Sequence, residues 1–423
     1  MFKVSLLSCL LLIFSMPSFS YGEIELSGFA SIGAGRLQHD NVRYIDFTDE
    51  WSFNSDSVIG IQAQIEFSDR WSLITQVVAS GYDYTDNAPF TPNLEWFVLG
   101  YQLDSNTQLR FGRFRAPQYR YSTTLEVGYT YQWVRPSPNA YPLFFSPFRG
   151  VDGIDITHNV SYDDVNVGYQ VFLGETEGKY EGTEVDAEFT FGGNIFATWS
   201  NFSARVSAQQ FTISVEFPGF SQLVGGYEAF ASAYSGTPGA EEALLLIPSS
   251  FSSESQKVNY LSLGFSYDVG RWTFASEILN LRSEDRNFAN DTDGYYISAA
   301  YQFKNISPYI TIGEYHNRFS DDIKNKVIAS EAVLAVGDTL EISEDLTLDR
   351  LRAQTLATFQ FFNVDQETIT LGVRYDFHPN ADFKIEVEYF NFLNGSYGNM
   401  YPDSVTDPGR DTVLTSFVID VVF

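Results

Sequence analysis

The sequence predicts an all-β protein: one closed antiparallel β-barrel of 16 strands that crosses a membrane, with short turns at one end and long loops at the other. Three observations carry this. Apolar and polar residues alternate with period two over most of the chain, and successive side chains of a strand point to opposite faces. The alternating runs are about nine to twelve residues long, enough to span a bilayer when tilted, whereas soluble strands average ~5–6. The connections between them alternate between short and long.

The elements follow in chain order. Residues 1–22 read as a signal peptide. Lys3 supplies the positive end, Leu6 to Phe14 is apolar apart from Ser8 and Cys9, and Ser20-Tyr21-Gly22 fits cleavage before Glu23. A lipoprotein reading of Leu6-Leu7-Ser8-Cys9 would leave most of the apolar run on the mature chain. Beyond residue 22 no apolar stretch reaches the ~18 residues of a membrane helix. Residues 23–423 read as the barrel. Strands fall at 24–36, 57–67, 71–80, 94–103, 107–114, 151–162, 164–174 and 187–199, then at 203–215, 257–267, 271–282, 293–304, 307–319, 366–377, 381–392 and 412–423. The pattern is plainest in 368–377, where Ile369, Leu371, Val373, Tyr375 and Phe377 oppose Thr368, Thr370, Gly372, Arg374 and Asp376. Runs 71–80, 203–215, 271–282 and 307–319 carry mixed faces. A β-sandwich has no reason to alternate short and long connections, and an even strand number suits a bacterial outer-membrane barrel.

The short turns include Ser68-Asp69-Arg70, Asp104-Ser105-Asn106 and His378-Pro379-Asn380; the long connections are 37–56, 81–93, 115–150, 175–186, 216–256, 283–292, 320–365 and 393–411. This asymmetry puts the short side in the periplasm. Closure removes the unpaired edges that lipid would not tolerate.

Composition excludes several functions. The chain has 25 Lys+Arg against 54 Asp+Glu, a net charge of −29, and about −30 without Lys3. No nucleic-acid partner fits so acidic a surface. Cys9 is the sole cysteine, so the mature chain has no disulfide and no thiolate chemistry. No zinc spacing appears among the four histidines. Asn290-Asp291-Thr292-Asp293-Gly294 misses the EF-hand ligand positions and reads as a turn. No metal and no cofactor is expected.

The architecture resembles the sixteen-stranded Gram-negative porins. The likeness covers the whole mature chain as topology and a few short stretches as motif. The run FGRFRAPQYRYSTTLEVGYTYQWVRP, Phe111 to Pro136, resembles proteobacterial porins with Gly-Arg-x-Arg-x-Pro at the start of the third external loop. The Pro-Glu-Phe-Gly-Gly motif of enterobacterial general porins is missing. The resemblance implies that loop 115–150 folds inward and narrows a water-filled channel. It also implies a homotrimer, in the outer membrane of a Gram-negative bacterium, among lipid and lipopolysaccharide. Phe417, Ile419, Val421 and Phe423 resemble the terminal signature read by the barrel-assembly machinery.

The candidate constriction residues are Arg113, Arg115, Tyr119, Arg120, Tyr121, Glu126, Arg135 and Arg149. On the inferred lumen face lie the acids Asp155, Glu188, Glu277, Asp376, Glu386 and Glu388 and the bases Arg205, Arg374 and Lys384. Two readings stand. In one, loop arginines and tyrosines form a basic lip and aromatic slide facing an acidic wall, a field that sorts ions. In the other, the aromatics pack the loop to the wall and the arginines pair with wall acids. Small residues Gly28, Ala30, Gly33 and Gly35 suit a flat subunit interface. The expected function is passive diffusion of small hydrophilic solutes and ions. The alternatives are a channel selective for an anionic or aromatic solute, and an adhesive barrel with acidic loops. Enzymatic outer-membrane barrels are the rival class, but His158 on the lipid face has no serine partner legible in the sequence.

Overall fold

The computed structural model describes residues 23–82, 88–142, 150–180, 183–215, 218–236, 244–245, 255–284, 291–318, 341–343, 346–402 and 410–423. The proposed signal segment and Arg149 lie outside them. Sixteen strands close one antiparallel barrel. They are β1 Glu23–Leu37, β2 Val58–Ser68, β3 Trp71–Ser80, β4 Pro92–Gln102, β5 Thr107–Arg115, β6 Gly150–Tyr162, β7 Val165–Tyr180 and β8 Thr183–Trp199. Then come β9 Phe202–Val215, β10 Gln256–Val269, β11 Trp272–Ser283, β12 Asp291–Tyr301, β13 Ile306–Arg318, β14 Val364–His378, β15 Ala381–Phe392 and β16 Thr412–Val422. Each strand pairs with its chain neighbours. The seam is β1 against β16, running from Phe29↔Val422 to Leu37↔Leu414.

The period-two pattern explains the wall. Outward residues are apolar and exposed, as in Ile369, Leu371, Tyr375 and Phe377 of β14 or Ile385, Val387 and Tyr389 of β15. Inward residues are polar and buried, as in Asp382, Lys384, Glu386 and Glu388. No described helix is long and apolar enough to cross a membrane; the crossing is made by strands, whose backbone groups pair with each other rather than with lipid.

Several sequence expectations are corrected. Segment 175–186 is no loop: β7 and β8 run on through it to either side of 181–182. Asp291-Thr292-Asp293-Gly294 is no turn but the start of β12, with Asp293 paired to Arg282 at 2.8 Å. Gly33 and Gly35 do not lie on the outer face with Ala30. A side chain on Gly35 would strike Phe47 of the first loop, which is buried inside the barrel.

The long connections 216–256 and 320–365 contain helices α1 Pro218–Ala233 and α2 Leu348–Phe362. Leu223, Tyr227 and Phe230 of α1 meet Leu348 and Leu351 of α2 in one buried cluster. That cluster takes in Phe211 and Ile213 of β9, Val258 and Tyr260 of β10, and Leu279 and Leu281 of β11. The mixed faces of β9 and β11 are thereby explained. Their inner walls are apolar because protein covers them, not water.

Candidate functional site

The site is the segment 116–142 and the wall it crosses. Pro117 has no N–H to continue β5, and the chain turns into the lumen there. The Gln118 carbonyl accepts from Ser262 Oγ at 2.6 Å and Tyr260 Oη at 3.2 Å, both on β10. Glu277 of β11 accepts the Arg120 backbone N–H at 2.8 Å, Tyr296 Oη at 2.9 Å and the Tyr141 hydroxyl. Short 3₁₀ turns at Ser122–Thr124 and Gly128–Thr130 carry the chain to the far wall. There Lys384 Nζ donates to the Gly128 carbonyl at 2.7 Å. Arg374 donates to the carbonyls of Tyr129 and Tyr131 at 2.9 and 2.8 Å. Tyr129 Oη reaches the Pro379 carbonyl, in a periplasmic turn, at 2.7 Å.

The return limb runs along β12, β13 and β14. Trp133 Nε1 donates to Thr311 Oγ1 at 2.7 Å. Asn139 is fully buried and bonds Thr368 at 2.5 Å and Gln366 at 3.1 Å. It fits because Gly294 and Gly313 lie beneath it, where any Cβ would collide with Asn139. The segment thus lies against the inner wall from β10 round to β16. It leaves the side formed by β1, β2 and β3 facing a cavity of about 200 Å³.

The charges are mostly matched. Arg115, 4% exposed, sits between Glu95 at 2.5 Å and Glu126. Arg135 grips Asp56 through two bonds of 2.7 and 3.1 Å, with Glu388 at 3.6 Å and Glu386 at 3.8 Å. Burial works against its charge, but these carboxylates outweigh it and hold its pKa above the usual arginine value. Lys384, without exposed surface, meets Asp420 at 2.9 Å and Asp382 at 3.8 Å. Arg374 meets Asp376 at 2.8 Å and Asp382 at 3.0 Å. Asp155 is paired with Arg110 at 2.6 Å, a partner that the sequence reading passed over. Burial, reinforced by Glu277, pushes the Tyr141 hydroxyl well above its ordinary pKa, so it stays a donor.

For Arg115 and Arg135 the geometry therefore matches the pairing reading, not a free basic lip. Arg120 and Arg205 differ. Among the described residues neither has a carboxylate within ion-pair distance; Arg120 lies 5.4 Å over the Tyr121 ring and Arg205 bonds only Ser207, at 3.3 Å. The tyrosines pack. Tyr119 lies 4.5 Å from Tyr141, and Tyr121 meets Tyr131 and Trp133 edge-on at 5.7 and 6.0 Å.

Two candidates fall elsewhere. Arg113 belongs to the strand, and alternation turns it outward: it pairs in register with Phe97, 51% exposed, and binds Asp152 on the same outer face. Glu188 is the extra residue of a bulge, skipped between Thr212↔Phe189 and Ile213↔Ala187, and its side chain is exposed. A bulge breaks the alternation on which its placement rested. His158 faces outward, stacked on Tyr169 at 5.2 Å, with its Nδ1 2.8 Å from Thr107 Oγ1. Asp104 meets Thr107 and not the imidazole, so this is no catalytic relay. Sequence reasoning missed α1 and α2. In α1 the i, i+4, i+7 apolar spacing at Leu223, Tyr227 and Phe230 was the available signal.

Comparison with known proteins agrees with this architecture. The description "Gram-negative porin" is matched by residues 8–320. Among solved structures, the chain is similar to Salmonella typhi OmpF in complex with daunomycin, at 12% identity, TM-score 0.54, covering 96% of this chain and 100% of that one. It is similar to an anion-selective porin from Comamonas acidovorans at 11% identity and TM-score 0.52, with 95% and 100% covered. The outer-membrane expressed OmpT of Vibrio cholerae gives 11% identity and TM-score 0.50, with 97% and 100% covered. At these identities the likeness is one of fold. A search of curated proteins gives no match. With a 16-strand barrel, an inward-folded third loop and a family match over most of its length, the chain belongs to the Gram-negative porins, non-enzymatic channels of the outer membrane.

Proposed function

We propose that this porin is a passive diffusion channel, narrowed by segment 115–150, whose permeation path runs between that segment and the β1–β3 wall. The observation that carries it is the chain of contacts from Gln118 to Asn139. They pin the segment to one side of the lumen and leave the other side open to a cavity. The residues proposed to shape the passage are Arg115, Tyr119, Arg120, Glu126 and Arg135, with Glu386, Glu388 and Asp420 on the wall. Single-channel recordings in a salt gradient test this. Large open steps with a modest cation preference are expected; closed traces from well-folded protein would overturn it.

A homotrimer in lipopolysaccharide is part of the proposal. Trp51 and Phe53, 46% and 57% exposed, lie on the outer face and meet Phe417 of β16, tilted at 5.6 Å and edge-on at 6.4 Å. Exposed aromatics beside the seam supply apolar area for a subunit contact or for lipid. Cross-linking of the detergent-solubilised protein separates these outcomes. A second reading, selection of an anionic solute, is favoured by the unmatched guanidinium groups of Arg120 and Arg205. It requires a reversal potential on the anion side.

A further inference from the structure

The cavity beside the third loop has an unusual lining. Five tyrosines border it: Tyr44, Tyr82, Tyr119, Tyr131 and Tyr141. Its ionisable lining is Asp56, Glu126, Asp420 and Arg135, three acids to one base. The bases next to it do not restore balance. Arg115 lies between two carboxylates, Arg135 among three, and Lys384 and Arg374 share Asp376, Asp382 and Asp420. Each of these four bases is matched or outnumbered; Arg120, next to Tyr119 in the chain, is not, but the lining itself holds three acids to one base.

One ring of this lining, Tyr131, already serves as a cation partner, and two rings outside it, Tyr129 and Phe47, do the same. Lys384 Nζ stands 5.0 Å from the centre of the Tyr131 ring. Arg374 lies 4.9 Å over Tyr129, and Arg135 lies 5.1 Å over Phe47. Ring faces attract cations through their quadrupole, and the gain grows when the site excludes water. A carboxylate excess alone would favour any cation. Rings and carboxylates together favour one that sheds water cheaply and spreads its charge over an apolar surface.

We propose that this cavity is a binding subsite for a small quaternary or methylated ammonium compound. This deepens the channel reading and rests on it: the subsite lies on the proposed path, so an organic cation dwells there during transit. Hydrated inorganic cations gain less, because they do not give up water to reach a ring. Anions are repelled by Asp56, Glu126 and Asp420.

The test compares choline with 3,3-dimethylbutan-1-ol, its uncharged carbon isostere, on wild-type protein. Each is added to one side of a planar bilayer at constant ionic strength. Choline is expected to produce brief, voltage-dependent interruptions of current at about one-tenth the concentration the isostere requires. Equal potency of the two compounds would overturn the proposal, because the cavity would then be merely apolar. Tyr82→Leu should weaken the choline block several-fold and Tyr82→Phe should retain it; equal block in both variants also overturns it. If normal open steps appear without choline block, the subsite fails and the channel reading stands. If no open steps appear, the channel reading fails. Tyrosine-fluorescence titration of the solubilised barrel then decides the subsite, and choline binding no tighter than the isostere overturns it.

Discussion

At the scale of single residues, the lumen is organised by buried ions whose partners come from distant parts of the chain. Lys384 is the strongest case. It joins β15 to Asp420 on β16 and to the tip of the third loop through Gly128 O, with no exposed surface of its own. Removing one partner of a buried ion cluster leaves uncompensated charge and costs about 3–5 kcal/mol. Lys384→Met is therefore expected to lower the urea midpoint of the vesicle-inserted barrel and to make open-channel current noisier; a wild-type midpoint would contradict the tether. Selectivity should depend on a different residue. Arg120 has no carboxylate partner among the described residues, so Arg120→Gln removes a charge outright. Arg135→Gln removes a charge that is buried and already held against Asp56, Glu386 and Glu388, so less of its field reaches a passing ion. The reversal potential should shift toward cations more in the first variant than in the second. At ~1 M salt, where the Debye length is ~3 Å, the difference should shrink. The reverse ranking would mean that Arg135, not Arg120, faces the permeating ions. These outcomes were only half legible in the sequence. Alternation placed Arg374, Lys384, Glu386 and Glu388 on the lumen wall, as observed, because nothing interrupts β14 or β15 there. It failed at Glu188, where a bulge shifts the phase; Arg113 was counted with the constriction on its motif, although the alternation of its own strand turns it outward.

At the scale of elements, the strands were legible and the contents of the lumen were not. Period two is a local signal, set by the contrast between lipid outside and polar groups inside, and it survives in any single strand. The helices α1 and α2 stand on long connections, where charged and small residues dilute the pattern. Their apolar stripe makes sense only against the apolar upper wall of β9, β10 and β11. Gly226 marks the point where the two helices touch, since a side chain there would come within 2.8 Å of Leu351. The pair occupies space inside the barrel that water would otherwise fill. Replacing residues 218–236 by a short Gly-Ser linker is expected to raise single-channel conductance and to admit larger sugars in liposome swelling, with the barrel still heat-modifiable. Unchanged conductance would show that the helices lie clear of the path.

At the scale of the whole molecule, the topology fixes which end faces which compartment. Glu50 lies exposed in the first external loop and Asn380 in the turn between β14 and β15. With no cysteine in residues 23–423, single replacements can be read cleanly. Glu50→Cys should label on intact cells with an impermeant thiol reagent, and Asn380→Cys should not; the opposite pattern would invert the barrel. The outward set Phe417, Ile419, Val421 and Phe423 lies on the closing strand, and Phe423→Ser is expected to reduce the yield of inserted barrel while leaving export intact. The depth of the third loop has a consequence for the order of events during biogenesis. Its tip touches β14, β15 and β16 at once and extends to Pro379 at the periplasmic end. A segment held so far inside, beside two packed helices, is expected to be enclosed while the β1–β16 edge is still apart, with zipping of that seam, from Phe29↔Val422 to Leu37↔Leu414, as the step that traps it.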